Sequence, residues 1–350
     1  MKLRRVHSQV PVLPSRDVSA LCAFGDISPP IAHQKYFRAR IFQTEWSNKQ
    51  EIMSTHNGNN GSSLTPPILL TIAGFDPSCG AGTAADLKVF AAHGCYGVAA
   101  ITSLTVQNTQ GVTDVQNTPS ATLRAQLDCL ANDSEIAAVK IGMLGNRGNA
   151  AVVAEFLDAH KFQHVVHDPV MKSSSGTELL DAAGIKFVVT ELLKRSSVIT
   201  PNIPEAEILT GMTIKEVGDM EAAAKKIVEM GAHAVIVKGG HMDHRAVDVL
   251  FDGSEIFTLA GDRVREESLH GTGCAFASAI TALLAEGRPL REAAMLAKAY
   301  VTKAIEKSYP TGKGRSPLDH FYRQKIEPPA RGIHEVPQHG MHPAAEAGAH

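Results

Sequence analysis

Residues Leu269 to Ala279 read LHGTGCAFASA, two glycines and a threonine opening an apolar stretch of helical character with a cysteine in its first turn. The free N–H groups and the positive dipole end of such a helix start attract anions. The same field stabilises a thiolate or any other developing negative charge. Phosphoryl transfer to an alcohol needs both parts: an anion hole, here Gly271, Thr272 and Gly273, and a proton acceptor beside it, here Cys274. A glycine-rich cap over a buried structural cysteine would read the same way.

Further candidates sit where strands are expected to end. Asn202 and Glu205 in Pro201-Asn202-Ile203-Pro204-Glu205 put two oxygen donors one helical turn apart, a set that suits Mg²⁺ because this ion borrows further ligands from substrate phosphates. The alternative is a capping pair, with Asn202 as N-cap and Glu205 three residues on. Lys238, in Lys238-Gly239-Gly240, could set a cation against a phosphate or be a solvated strand end. Asp168 is a second oxygen for the metal or a turn residue. The small residues of Gly74-Phe75-Asp76-Pro77-Ser78-Cys79-Gly80-Ala81-Gly82 allow a ligand close to the backbone. Gly80 to Ala85 matches a dinucleotide fingerprint, but no acidic residue follows at the required distance, and no P-loop motif occurs.

The elements that must position these residues alternate. Strands are expected at 67–73, 96–105, 136–141, 164–167, 197–200 and 234–237, and helices at 82–92, 119–132, 149–160, 220–230, 272–286 and 290–307. A hairpin at 246–251 and 255–259 turns on Asp252-Gly253. This order predicts an α/β fold with a central, mostly parallel sheet flanked by helices on both faces and ligands beyond the carboxyl ends of the strands.

The 350 residues, 44% hydrophobic and 20% charged with a net charge of -2, carry no basic footprint for nucleic acid. No apolar run reaches membrane-spanning length. Cys22, Cys79, Cys95, Cys129 and Cys274 form neither CxxC nor finger spacings, which favours a reducing compartment, and cytoplasmic placement is expected. Residues 1–65 lack sustained periodicity and end in a Gly/Asn-rich linker, so they are expected to be an irregular extension. An over-extended gene start with Met53 as the initiator is the simplest reading of it. Residues 324–350 are expected to be an irregular tail.

Seven phrases, AGFDPSCGAGTAADLK, TSLTVQNTQGV, VKIGML, HDPVMKSSSG, ITPNIPEAEILTG, VIVKGGH and HGTGCAFASA, occur in one order from about Pro66 to Phe321. In this the chain resembles the hydroxymethylpyrimidine/phosphomethylpyrimidine kinases of thiamine biosynthesis. The resemblance implies a ribokinase-like domain over 66–323 with a small lid. It implies phosphorylation of 4-amino-5-hydroxymethyl-2-methylpyrimidine by ATP with Mg²⁺, to the monophosphate and then the diphosphate. Position by position, it makes Gly271, Thr272 and Gly273 the anion hole and Cys274 the proton acceptor. Asn202, Lys238 and Thr272 become phosphate contacts, and Asp168, Asn202 and Glu205 the metal site. Gly74, Asp86, Gln107, Met143 and Val170 become the ring site, with Asp86 accepting from the exocyclic amine; an ordinary solvated helix residue is the other reading of Asp86. Gln107 stands where Glu is frequent in this family, and Cys79 and Ala84 replace its common Gly and Gln. The expected partners are the pyrimidine and ATP, in a homodimer, without nucleic acid or membrane. Pyridoxal kinase activity and a non-catalytic pyrimidine-binding module are the rival functions.

Overall fold

The computed structural model describes residues 65–324 apart from Ser174, 241–245 and 262–268. The expected extension with Met53, and the expected tail after residue 324, lie outside the described residues.

Nine strands form one sheet in the order β3-β2-β1-β4-β5-β6-β7-β8-β9. They are β1 (Ile68–Phe75), β2 (Tyr96–Asn108), β3 (Gly111–Asn117), β4 (Ile136–Ile141), β5 (Val165–His167), β6 (Val198–Ile199), β7 (Val235–Gly239), β8 (Ala246–Phe251) and β9 (Ile256–Gly261). From β2 across β1 and β4 to β7 every pairing is parallel, while β3, β8 and β9 add antiparallel edges. The central strands are apolar throughout because both faces are covered. Alternation then sorts their side chains: Leu70, Ile72, Val165, Val235, Val237 and Val249 enter one core, and Val166, Ile236 and Leu250 the opposite one.

Helices α2 (Ser120–Asp133), α3 (Arg147–His160), α4 (Ala182–Phe187), α5 (Ile203–Thr210) and α6 (Val217–Glu229) cover the first face. Helices α1 (Gly82–Ala92), α7 (Thr272–Ala285) and α8 (Leu290–Glu306) cover the second. A short pair, β10 (Leu269–His270) with β11 (Ser316–Pro317), ties the entry to α7 to the C-terminal segment. The expected α/β sheet with helices on both faces is the architecture observed.

Three differences from the expected elements have physical causes. The second strand runs on past residue 105 and folds back as β3, which projects beyond the core and therefore lacks the apolar alternation of a half-buried strand. This hairpin overhangs the carboxyl ends of the strands as a small lid, and its tip is held where Arg315 N–H donates to the Thr109 carbonyl at 2.7 Å. Helix α4 is only six residues long and passes into a π turn at Val188–Leu192, too short to show a helical period. Helix α3 begins two residues ahead of the expected start, because the Asn146 side chain accepts from Asn149 N–H at 2.9 Å and caps it.

Chain direction sets where a ligand can sit. From β1 the chain first moves outward to β2 and β3, then returns to β4 on the other side of β1 and continues the opposite way. This reversal opens a crevice beyond the carboxyl ends of β1 and β4.

His320 lies under α8, 3% exposed, with the Tyr300 hydroxyl donating to its backbone carbonyl at 3.0 Å and its Nε2 without a hydrogen-bond partner. Burial, with Lys88 adding to it, pushes its imidazole down to about 4. The unfolded chain, with an ordinary histidine near 6.5, binds the proton first, so stability falls as pH drops from 6.5 through 4. Urea unfolding of His320→Leu should show a loss between pH 7.5 and 4.5 smaller than that of the unmodified chain by about 2–3 kcal/mol.

Candidate active site

A cleft of about 720 Å³ occupies this crevice. One end is formed by Gly74 at the end of β1, Gln107 of the lid, Met143 after β4 and Val170 after β5. The middle holds Gly271 to Cys274 at the start of α7, with Asp168 and Lys238. Phe276, Val301 and Ile305 also line the cleft, with the Lys298–Asp248 pair beside them.

Gly271 caps α7 in the left-handed conformation, φ 86°, and no side chain caps the helix. The first intrahelical bond at this end is Ala275 N–H to the Gly271 carbonyl at 2.9 Å. The N–H groups of Thr272, Gly273 and Cys274 precede it and turn toward the cleft end of a 14-residue helix. A Cβ at position 273 would come within 3.0 Å of Lys238 Nζ, so glycine there lets the ammonium stand against these amides. Lys238 in turn donates to Asp168 Oδ1 at 2.7 Å, and Thr200 Oγ1 donates to the same oxygen at 3.2 Å. Burial would raise the Asp168 carboxyl, but Lys238 and Lys140 hold it below the usual range.

Cys274 carries a correction to the expected thiolate. Burial pushes its thiol up to about 11, helped by Asp168 and Asp86, while Lys140 and the Gly82 N–H oppose it. The thiol form dominates at neutral pH despite the helix start.

Asp86 is also corrected. It is fully buried in α1 behind the cleft wall, where it accepts from Lys140 Nζ at 2.9 Å, Thr71 Oγ1 at 2.6 Å and Ser278 Oγ at 2.7 Å. It holds Lys140 in place of reaching a substrate amine. Gly74, Gln107, Met143 and Val170 do line the cleft as expected, and Met143 covers Gly74 so closely that a Cβ there would lie 2.9 Å from the Met143 Sδ.

Asn202 and Glu205 adopt the capping arrangement: Asn202 Oδ1 accepts from Glu205 N–H at 2.9 Å and Glu205 Oε2 from Asn202 N–H at 2.8 Å. Both still border the cleft, but the Asn202 oxygen and one Glu205 oxygen serve the start of α5. Burial raises the Glu205 carboxyl to about 7, with Lys238 pulling it down and Asp168 pushing it up. Among the described residues no group of three or more acidic, His or Cys side chains gathers for a metal. Asp168 and Glu205 bring a few carboxylate oxygens to the cleft, a set that suits a cation needing few protein ligands. Mg²⁺ has that preference, keeping waters and taking phosphate oxygens.

Three residues escaped the sequence reading. Lys140 is a charged residue inside an otherwise apolar central strand, a signal in itself. Asp76 ties the loop after β1, its Oδ1 accepting from Ser78 N–H and Oγ and its Oδ2 from Gly80 and Ala81 N–H. His270 Nε2 meets Asp76 Oδ2 at 2.9 Å, a contact across 194 positions that no local pattern reveals.

The phosphomethylpyrimidine kinase family model matches residues 76–319. The chain belongs to the phosphomethylpyrimidine kinase family. It is a kinase of ribokinase-like fold. The hydroxymethylpyrimidine/phosphomethylpyrimidine kinase of Aquifex aeolicus is 44% identical over 253 residues, covering 72% of this chain and 99% of that one. A phosphomethylpyrimidine kinase of Clostridium difficile superposes with a TM-score of 0.62 at 39% identity, covering 68% of this chain and 99% of that one. A pyridoxal kinase of Staphylococcus aureus in complex with AMP-PCP gives a TM-score of 0.69 at 35% identity, covering 75% and 96%.

Two substitutions test this kinase site. In Gly271→Ala the new Cβ meets the Gly80 carbonyl oxygen at a positive φ, so thermal unfolding should show a loss of about 2–5 kcal/mol, with kcat falling as the amides move. Lys140→Met strands the Asp86 carboxylate and should cost about 3–5 kcal/mol in urea unfolding, most of it regained in Lys140→Met/Asp86→Leu. Equal losses in the single and double variants would remove the pair from this account.

Proposed function

We propose that this kinase transfers the γ-phosphoryl group of ATP to the hydroxymethyl oxygen of 4-amino-5-hydroxymethyl-2-methylpyrimidine. A second transfer onto the resulting monophosphate then gives the diphosphate used in thiamine biosynthesis. The observation that carries this reading is the start of α7, whose open amides and Cys274 border one cleft together with Gly74, Gln107, Met143 and Val170 and with Asp168 and Lys238. The ring end takes the pyrimidine, Asp168 and Lys238 face the polyphosphate, and Phe276, Val301 and Ile305 take adenine. With ATP as donor the reaction is read as cytoplasmic, and the working form is read as a homodimer.

In the transfer the hydroxymethyl oxygen bonds to the γ-phosphorus, the bond from that phosphorus to the β,γ-bridging oxygen breaks, and ADP leaves. The amides of Thr272, Gly273 and Cys274 and the Lys238 ammonium stabilise charge on the moving group. Mg²⁺, held by Asp168 and Glu205 with phosphate oxygens and water, would supply charge neutralisation. Asn202 keeps Glu205 in place. The hydroxyl proton passes to the Cys274 sulfur once ionised, which Lys140 and the Gly82 N–H favour and burial opposes.

The two acceptors separate the roles of Cys274. An alcohol loses a proton on phosphorylation, whereas a phosphate acceptor, with its second pKa about 6, is already ionised at neutral pH. With purified enzyme and MgATP, Cys274→Ala should lower kcat for the alcohol about 100-fold and for the monophosphate less than about 10-fold. Equal losses for both acceptors would make the thiol a spacer beside the amides. A higher kcat/KM for pyridoxal than for the pyrimidine would transfer the reading to the rival vitamin, and absence of any ATP turnover would support a binding module.

A further inference from the structure

Residues 312–317 form a strap that meets the lid at one residue. Thr109, in the turn between β2 and β3, accepts from Arg315 N–H through its carbonyl at 2.7 Å and from Gly314 N–H through Oγ1 at 3.1 Å. Two successive strap amides therefore close on the lid tip from 205 positions away.

Glycine makes this approach possible. A Cβ at position 314 would stand 2.1 Å from the Thr109 carbonyl oxygen, and one at position 312 would stand 2.5 Å from Thr109 Oγ1 and 3.3 Å from its Cβ. Neither glycine has a positive φ, so closeness to the tip alone excludes a side chain there.

The strap is anchored beyond both ends. Ser316 and Pro317 pair with Leu269 and His270 just before Gly271, Leu318 is buried in the second core, and Asp319 N–H donates to the Ala304 carbonyl at 3.2 Å. Toward α8, Ser308 N–H donates to the Ile305 carbonyl at 3.0 Å. A ribbon fixed on both sides thus presents its middle to the lid. On the lid's other flank the Thr177 hydroxyl donates to the Val112 carbonyl at 3.4 Å, a longer bond and from a side chain. The strap has the tighter grip.

Thr105, Gln107 and Val112 of the hairpin line the cleft. Phe276, Val301 and Ile305, read above as the adenine contacts, belong to α7 and α8 instead. Exchange at the ring end therefore concerns the hairpin, and exchange of nucleotide does not.

We propose that the strap is a latch for the lid, with Gly312 and Gly314 as positioning residues and Thr109 as the catch: acceptor enters and product leaves only when Thr109 parts from the strap amides. This rests on the reading that the ring end takes the pyrimidine. Two hydrogen bonds at a half-buried tip are weak enough to break on the timescale of lid motion. Because the strap also pairs with β10, a lid drawn down onto it lies against the segment that carries the anion hole.

A disulfide can hold this latch shut. The 3.3 Å between the Thr109 Cβ and a Cβ at position 312 is near the roughly 3.8 Å that a disulfide spans. Full-length Thr109→Cys/Gly312→Cys is treated with oxidised glutathione, the bridge is confirmed by peptide mass, and turnover of the pyrimidine alcohol with MgATP is measured before and after reduction. The bridge should lower kcat/KM for the alcohol at least about 10-fold, with recovery on reduction, while Kd for AMP-PCP changes less than about 2-fold. Gly314→Ala pushes the strap off the Thr109 carbonyl, so acceptor is held less well. Its KM for the alcohol should rise roughly 5-fold with KM for ATP within about 2-fold, which keeps the test decisive if the bridge does not form. Turnover unaffected by the confirmed bridge, an equal loss in oxidised Thr109→Cys alone, or equal changes in both KM values of Gly314→Ala would overturn the latch while leaving the kinase reading intact. Failure of the unmodified enzyme to phosphorylate the pyrimidine alcohol would remove both.

Discussion

The site depends on one close approach between two backbones. Gly271, in the left-handed conformation before α7, lies against the Gly80 carbonyl so closely that no Cβ fits between them. Gly82, also left-handed, sits equally tightly on the Gly74 carbonyl. The first contact interlocks the loop leaving β1 with the loop entering α7, and the second folds that β1 loop onto itself. Their consequence is that two helix starts meet at one point, since α1 begins at Gly82 and α7 at Thr272. Cys274 lies between them with the Gly82 N–H toward its sulfur. His270 reaches Asp76 across the same seam. Side-chain chemistry at the cleft is thus set by glycine geometry in segments far apart in sequence.

Around this seam the charges are nearly balanced before any ligand arrives. Lys140 answers Asp86, and Lys238 answers Asp168. Pairs this buried add little net stability against apolar residues of the same shape, because desolvation offsets the attraction. Their place at the cleft indicates another use: each fixes a cation there, and each ammonium is kept charged, raised above its ordinary value against burial. Glu205 differs from these pairs: burial raises its carboxyl to about 7, with Lys238 pulling it down and Asp168 pushing it up.

Sequence disclosed local chemistry better than spatial relations. The α/β order was legible because central strands and amphipathic helices keep their own periods. The start of α7 was legible because Gly271, Thr272, Gly273 and Cys274 are contiguous. Asn202 and Glu205 were visible as a pair, but whether their oxygens faced a metal or each other's backbone depended on φ/ψ that letters do not encode. Asp86 was misplaced because its helix has one face on the cleft loops and another on Lys140, and composition along α1 does not distinguish them. Lys140 could have been found, since a lysine within a strand buried on both faces requires an anionic partner. His270 with Asp76 could not, as the contact exists only once β10 lies beside the loop after β1.

A thiol raised to about 11 is a weak standing base, and this suits a kinase. Water is the acceptor that competes with the pyrimidine alcohol, and a permanently ionised base beside the γ-phosphate would activate water as readily. At pH 7 a group with that pKa is ionised in roughly one molecule in ten thousand, so an empty ring site offers water little help. In a loose transition state the attacking hydroxyl becomes acidic only as its bond to phosphorus forms, and demand for a proton acceptor comes late. By then the charge has been met by the α7 amides and Lys238, whose positions need no rearrangement. In the proposed mechanism, a substrate that fills the cleft removes the water and aligns its hydroxyl with Cys274. Restraint of the base and exclusion of water are thus two effects of the same burial.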